Sequence, residues 1–239
     1  VHMALRKARE LRRLKDASVK GGIHIIIKDG TYYFDEPLFV RPEDSGTADS
    51  PTIIEADANA KPIFNGGIEI KNWKKTTTVI NGLKKGVVWV ADAPTKAGEI
   101  INYRQLWVND VKAVRAKSTA GTAMERILSW DKETETCWIP FKDKSVKFEP
   151  GMEMYIVQWW AIANLRIKNI EVKKDSARLS FEKPESRVQS EHPWPAPWIS
   201  KNNGNSAFYL NNGMSMLYEA GEWYLDRKKS KIYYIPRAN

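Results

Sequence analysis

Between residues 22 and 70 the chain reads GIHIIIKDGTYYFDEPLFVRPEDSGTADSPTIIEADANAKPIFNGGIEI. Short β-branched runs at 25–27, 38–40, 53–54, 63–64 and 68–70 recur there between Gly, Pro, Asp and Asn. Runs this short, punctuated by residues that favour tight turns, predict the first coils of a parallel β-solenoid. The apolar run at 23–27 is nearly continuous, as in a strand covered on both faces. About two coils cannot bury their own hydrophobic faces, since solenoids generally need three or more stacked repeats. The far edge of these coils therefore calls for cover. Further sequence, the domain that follows, or a neighbouring chain would each supply it, and the last is a route to self-association.

The rest of the chain sets the class. With 239 residues, 42% hydrophobic and 11% aromatic, it holds ample material for a packed core. Gly, Pro and β-formers spread along its length predict an all-β class. No run approaches the roughly 18 apolar residues of a membrane span. The net charge of +9 would by itself suggest nucleic acid or an acidic polysaccharide. Residues 1–20, however, hold Arg6, Lys7, Arg9, Arg12, Arg13, Lys15 and Lys20 against Glu10 and Asp16, which leaves +5 on this segment alone. The remaining lysines are scattered, without the clustering of a phosphate-tracking groove, so no nucleic-acid partner is expected. The single cysteine, Cys137, excludes an intrachain disulfide and a cysteine-based zinc site. It reads as a small buried hydrophobe. Val1-His2-Met3 looks like a vector remnant and no signal peptide is visible, so the native start is expected to lie outside this sequence.

Residues 4–15 place Leu5, Ala8, Leu11 and Leu14 on one side of a basic amphipathic helix. A helix ahead of a solenoid suits the role of covering its open end. The rival reading, a basic helix docking on a membrane or acidic partner, fits less well, because the apolar stripe is narrow and lacks aromatics. The predicted organisation is a capping helix over 4–20, coils over 21–74, and an antiparallel β-barrel or sandwich over 75–236. In the last region alternating strands are expected at 87–90, 105–108, 113–116, 127–130, 136–140, 154–160, 165–173 and 178–181. Turns are expected at Asn109-Asp110 and Asp175-Ser176, and a final hairpin joins 222–225 to 232–235.

One loop stands out chemically. SEHPWPAPWISKNNG, residues 190–204, gathers Glu191, His192, Trp194, Trp198, Asn202 and Asn203, with Pro193, Pro195 and Pro197 stiffening the backbone. Exposed indoles suit sugars, whose C–H faces stack on aromatic rings while Asn and Glu meet the hydroxyls. The alternative is that both tryptophans fold back onto the barrel as packing. Trp159 and Trp160, read as the end of a strand, should point one indole to each face, with Trp160 a further candidate contact. His24 alternates with isoleucines and reads as a structural imidazole. No Ser/His/Asp arrangement, phosphate loop, dinucleotide fingerprint or histidine-rich metal spacing is present, so neither cofactor nor metal is expected. Asp29, Asp35, Glu55, Asp57 and Glu69 include pairs that could serve glycoside hydrolysis, but most read as turn formers or solvated charges.

Several phrases together carry a resemblance. IIIKDGTYYF, PEDSGTADSPTIIEA and KPIFNGG resemble the start of secreted right-handed parallel β-helix proteins. LWVNDVKAVRA and AGEWYLDRKKSKIYYIP resemble the barrel insert of their glycoside hydrolase members, nearest to family 141 and more loosely to family 120. The resemblance covers nearly all of 4–236. It implies that the insert interrupts the first coils and that catalytic carboxylates lie on later coils, after the point matching Ile235-Pro236. It also implies a secreted bacterial protein, extracellular or periplasmic, acting on plant or host polysaccharide, of which this chain is the non-catalytic N-terminal portion. Arg115, in AVRAKS, matches an arginine of the family's barrel hairpin and is carried over as a substrate-facing residue. An arginine paired with an acidic neighbour is the alternative there. The competing reading of the whole chain is a free-standing carbohydrate-binding or adhesion module built on Trp194 and Trp198. Both readings make an oligo- or polysaccharide the partner.

Overall fold

The computed structural model describes residues 1–187 and 196–238. Two compact units make up the chain, Val1–Glu69 and Ile70–Asn239.

In the first unit, helix α1 (His2–Arg13) is followed by strands β1 (Ile23–Ile27), β2 (Thr31–Tyr33), β3 (Gly46–Thr47), β4 (Ser50–Ala56) and β5 (Ile63–Asn65). The helix begins earlier than its apolar stripe suggests and stops at Arg13. Leu5 and Ala8 are buried, whereas Leu14 lies beyond the last turn, 60% exposed. Leu5 packs with Ile25 and Ile27 of β1, so the helix covers one side of that strand.

The strands pair in two parallel ladders. β1 pairs with β4 in parallel, from Ile23 opposite Thr52 to Ile27 opposite Ala56. β2 pairs with β5 in parallel, from Thr31 opposite Ile63 to Tyr33 opposite Asn65. The chain thus returns to the same rung after 29 residues on one ladder (23 to 52) and 32 on the other (31 to 63). These two parallel ladders are what the unit contains. Beyond them, β4 meets only the short antiparallel β3 at Pro51 and Ser50, and β5 meets no second strand among the described residues. Ile53, Ile54, Ile63 and Phe64 are exposed on these strands. They are apolar residues on an open edge.

The basic side of α1 turns inward. Arg9 donates from Nε and Nη2 to the two oxygens of buried Asp44, at 2.6 and 2.8 Å, and Nη2 also reaches Phe39 O. Arg12 donates to Ser50 O, Ser50 Oγ and Thr52 Oγ1. Gly46 makes that contact geometrically feasible. At φ +77° a Cβ there would lie 2.1 Å from Ser50 O and 2.6 Å from Arg12 Nη2. Two of the seven cations in residues 1–20, Arg9 and Arg12, are therefore spent on internal bonds.

The second unit contains β6 (Lys74–Lys75), β7 (Trp89–Asp92), β8 (Thr95–Lys96), β9 (Glu99–Ile100), β10 (Trp107–Val108), β11 (Val111–Lys112), β12 (Val114–Arg115), β13 (Glu125–Arg126), β14 (Ser129–Asp131), β15 (Thr136–Pro140), β16 (Glu153–Val157), β17 (Ile162–Lys173), β18 (Ser176–Phe181), β19 (Ala207–Asn211), β20 (Glu222–Asp226) and β21 (Lys231–Tyr234). An antiparallel sheet runs β13-β19-β16-β17-β18-β15-β14. Its two ends, β13 and β14, belong to one continuous segment, 125–131. Ile127 N bonds Ser206 O on one side and Leu128 N bonds Trp138 O on the other. The sheet therefore curls until it closes on itself, and no free edge remains along this segment.

Period-two alternation fills the interior with Ile139, Met154, Ile156, Leu165, Leu179, Phe208 and Leu210, all buried. Cys137 sits among them, fully buried, and burial pushes its thiol pKa up. A second sheet, β12-β20-β21-β7-β6, is antiparallel except for the parallel pair β12 and β20. It is covered on both faces. Tyr224, Tyr233 and Ile235 join the barrel's cluster, while Trp223, Leu225, Ile232 and Tyr234 join another with Leu106 and Ala113.

Three details differ from the sequence reading or refine it. The strand expected over 154–160 stops at Val157, and Gln158 N bonds Ala161 O across a turn whose tip is Trp159-Trp160. Neither indole is in the core: Trp159 is 56% and Trp160 59% exposed. A two-residue turn ends the alternation before it reaches them. Asn109 and Asp110 do form the turn of a hairpin, with φ of 48° and 60°, as a two-residue type I′ connection requires. The turn before β18 falls one residue earlier than expected, with Lys174 at φ 46°. No helix among the described residues is long and apolar enough to cross a membrane.

Arg9, Arg41 and the backbone around Asp44 hold its carboxyl below the usual range, about 4, the Arg9 hydrogen bonds contributing most. A depressed folded-state pKa adds stability that is present above the unfolded value and lost as pH falls through the folded one. Urea midpoints of the wild type should therefore drop between about pH 5 and 2, and D44N should flatten that slope. An unchanged slope in D44N would show that Arg9–Asp44 does not hold the unit together.

Candidate functional site

The barrel's strands alternate in direction, so its turns gather at two ends. β16 runs toward one end, where the turn at Trp159-Trp160 and the connection that leads into β19 lie, since β19 pairs antiparallel with β16 and places Phe208 opposite Ile156. Trp198, on that connection, is clamped by three bonds. Its backbone N donates to Ser206 Oγ at 2.9 Å, its carbonyl accepts from Ser206 N at 3.0 Å, and its indole Nε1 donates to Gly204 O at 2.8 Å. Asn205 tightens the same loop, accepting from Ser200 N and donating to Ile127 O. The Trp198 ring meets the Trp159 ring at 5.2 Å and 34°. With Trp160 beside Trp159 on the turn tip, this end presents a ledge of indoles, one anchored and two more than half exposed. Their faces can stack on the C–H face of a sugar. The structure brings Trp198 together with the turn that carries Trp160. Trp194 and His192, the other candidates in the loop, lie outside the described residues.

Arg115 sits elsewhere. It ends β12, and its side chain is 9% exposed. Its Nη1 donates to Glu153 Oε2 at 2.7 Å, and Arg104 Nε donates to the same oxygen at 3.2 Å. Glu153 is fully buried at the start of β16, so roughly 13 Å of strand, at about 3.3 Å per residue, separates it from the tryptophan turn. The Arg115 guanidinium lies 5.4 Å from the Trp223 ring centroid, and Tyr103 stacks on that indole at 5.5 Å and 8°. Desolvation pulls the Arg115 pKa down, and Arg104 and Arg227 add to this by repulsion, while Glu153 opposes it. Burial likewise pushes the Tyr103 hydroxyl up. Next along the same strands, Tyr155 and Tyr209 stack at 4.5 Å and 9°, with Lys117 Nζ 5.1 Å from the Tyr209 ring. Burial, aided by Tyr155, pushes the Tyr209 hydroxyl up to about 12.

Sequence reasoning singles out Arg115 but not Glu153, Arg104 or Tyr103. Glu153 is 38 residues from Arg115 and occupies an ordinary alternating position. The one available signal was a carboxylate opening an otherwise apolar strand, in GMEMYIV.

Two other places hold less chemistry. A cleft of about 280 Å³ in the second unit is lined by Ser118, Thr119, Glu125, Phe141 and Asp143. Its polar groups are mostly engaged locally: Ser118 Oγ with Leu210 N, Thr119 Oγ1 with Ala123 O, and Asp143 with Ser145. In the first unit His24 Nδ1 meets Glu55 Oε1 at 2.6 Å across neighbouring strands, Asp57 takes Lys28, and Asp29 accepts from Lys61 N. His24 thus has a structural partner, and three of the candidate carboxylates are engaged within the first unit. Among the described residues no group of three or more His, Cys, Asp or Glu is placed to hold a metal ion.

Residues 86–237 match the family described as the GH141 insertion domain. A solved structure named "Glycoside hydrolase" is similar at 45% identity and a TM-score of 0.83, over 99% of this chain and 39% of that one. The chain therefore spans about two fifths of the length of that relative. No curated protein matches it.

Glu153 provides a direct test of the barrel's polar end. Removing one partner of a buried ion pair leaves the other charge uncompensated, at a cost of about 3–5 kcal/mol. E153M should lower stability by that order in urea unfolding, and R115M/E153M should cost less than R115M and E153M summed. Additive effects in that cycle would mean the two groups do not depend on each other.

Proposed function

The chain belongs to the GH141 insertion-domain family, and from this premise we propose that it is the non-catalytic opening portion of a secreted, carbohydrate-active glycoside hydrolase. In this reading the ladders of residues 23–65 begin a right-handed parallel β-helix, and the barrel is inserted after its first coils. Two features of the first unit support it. The parallel ladders recur at a near-constant interval, and the free edges of β4 and β5 offer a template for another coil. That edge would be covered by following coils of the longer protein or, failing them, by a second copy of this chain. The substrate is plant or host polysaccharide and the site of action extracellular or periplasmic.

The observation that carries the carbohydrate contact is the tryptophan-bearing end of the barrel. Trp198 is clamped by its own loop and braces Trp159, leaving Trp159 and Trp160 exposed. An indole held in place loses little freedom on binding, which suits a sugar platform. The same ledge favours the second reading, a free-standing carbohydrate-binding or adhesion module.

Glycan binding by the purified chain should fall about tenfold or more in W159A/W160A, read by affinity electrophoresis against plant polysaccharides. Unchanged binding would remove the ledge from the function. Aryl-glycosides should not be turned over by the chain alone. Turnover abolished by changing one carboxylate within 22–70 would assign catalysis to the coils instead.

A further inference from the structure

The polar cluster around Arg115 is unusually under-satisfied. Arg115 Nε and Nη2, Arg227 Nε, Tyr103 OH, Glu153 Oε1 and Asn211 Oδ1 are all buried without a hydrogen-bond partner. Leaving such groups unpaired away from water is costly, so a cluster of them in one place asks for an occupant. The cluster is also unbalanced in charge. Arg104 and Arg115 share one oxygen of Glu153, and Arg227 lies near enough to repel Arg115, so three guanidiniums face a single carboxylate.

We infer that this cluster is a binding site for a carboxylated sugar, a uronic acid unit of an acidic glycan. The inference rests on the reading that the chain contacts carbohydrate, and it names the class. The inventory of unpaired atoms selects the ligand. Arg115 Nε and Nη2 form one edge of the guanidinium, the fork that takes a carboxylate through two parallel bonds. Its other arm, Nη1, is held by Glu153, which fixes the fork's orientation. The acceptors Glu153 Oε1 and Asn211 Oδ1 need donors, which sugar hydroxyls supply and sulfate does not. Buried water would pair with individual atoms but would leave the excess positive charge uncompensated. Arg104 is the solvent-facing member, bonded to Glu153 Oε2 and Asn164 O. Its side chain is 42% exposed, and it lies on a segment, 101–106, that carries no regular structure before β10.

The test compares oligogalacturonides and glucuronic-acid oligosaccharides with their methyl esters, which keep the skeleton and lose the charge, by calorimetry on the whole chain. The free acids should bind about tenfold tighter than the esters, and the gap should shrink as salt rises. R104A, a change at a half-exposed side chain, should weaken the acids several-fold and leave neutral glycans untouched. R115K, which keeps the charge and removes the fork, should abolish the preference for acid over ester. Equal affinity for acid and ester, no binding of either, or a preference that survives both R104A and R115K overturns the inference. Neutral glycans bound through Trp159 and Trp160 without any preference for acid would sink this site alone. An acid preference that persists while W159A/W160A changes nothing would sink the ledge instead.

Discussion

Segment 125–131 pairs with β19 along its first residues and with β15 along its last, and this double pairing turns an open ladder into a barrel. An open antiparallel sheet would leave backbone donors and acceptors exposed along two edges. Here one segment serves both ends, with Ile127 and Leu128 bonding to opposite neighbours where it bends. Closure also defines an interior, in which Phe208, Ile156 and Leu179 are fully buried. The two-sided burial of β20 and β21 follows, because this second sheet places Tyr224 and Ile235 in the barrel's cluster and Trp223 and Leu225 in another.

Closure decides as well where chemistry is permitted. Residues along the wall of a barrel alternate between core and outer face, so irregular backbone is confined to the ends. One end carries the tryptophan turn and the clamped Trp198 loop. Along the outer face, toward the opposite end, lies the Arg115–Glu153 cluster. In the proposed reading the two divide the work of glycan recognition, apolar ring faces giving affinity and a few polar groups giving selectivity. The first unit has no comparable closure. Its ladders end in strands with an unpaired edge, and it is fastened instead by polar bonds from α1 to Asp44, Ser50 and Thr52.

The legible parts of the fold were those governed by local rules. β-branched runs between turn residues revealed the parallel rungs, Asn109-Asp110 revealed a hairpin, and alternation revealed β15, β18 and the last hairpin. What failed to show was a turn that looks like a strand. In YIVQWWAIANL nothing but the partner's register tells where the chain reverses, so Trp159 and Trp160 read as strand positions when they are a turn tip. At the candidate sites, Trp198, Trp160 and Arg115 could be singled out by residue type. Their partners could not: Gly204 is unremarkable in its neighbourhood, and Glu153 shows only as a carboxylate opening an apolar strand, with nothing to pair it with Arg115.

Composition, periodicity and turn chemistry by themselves determined the all-β class, the parallel start, the antiparallel continuation and the absence of a disulfide, since each follows from contacts within a few residues. Tertiary structure alone decided that the sheet closes, that both exposed indoles share one end with Trp198, and that Arg115 is buried against Glu153. Those outcomes depend on which strands become neighbours. Strand pairing across tens of residues is set by the simultaneous burial of many side chains, and no short stretch of sequence contains that information.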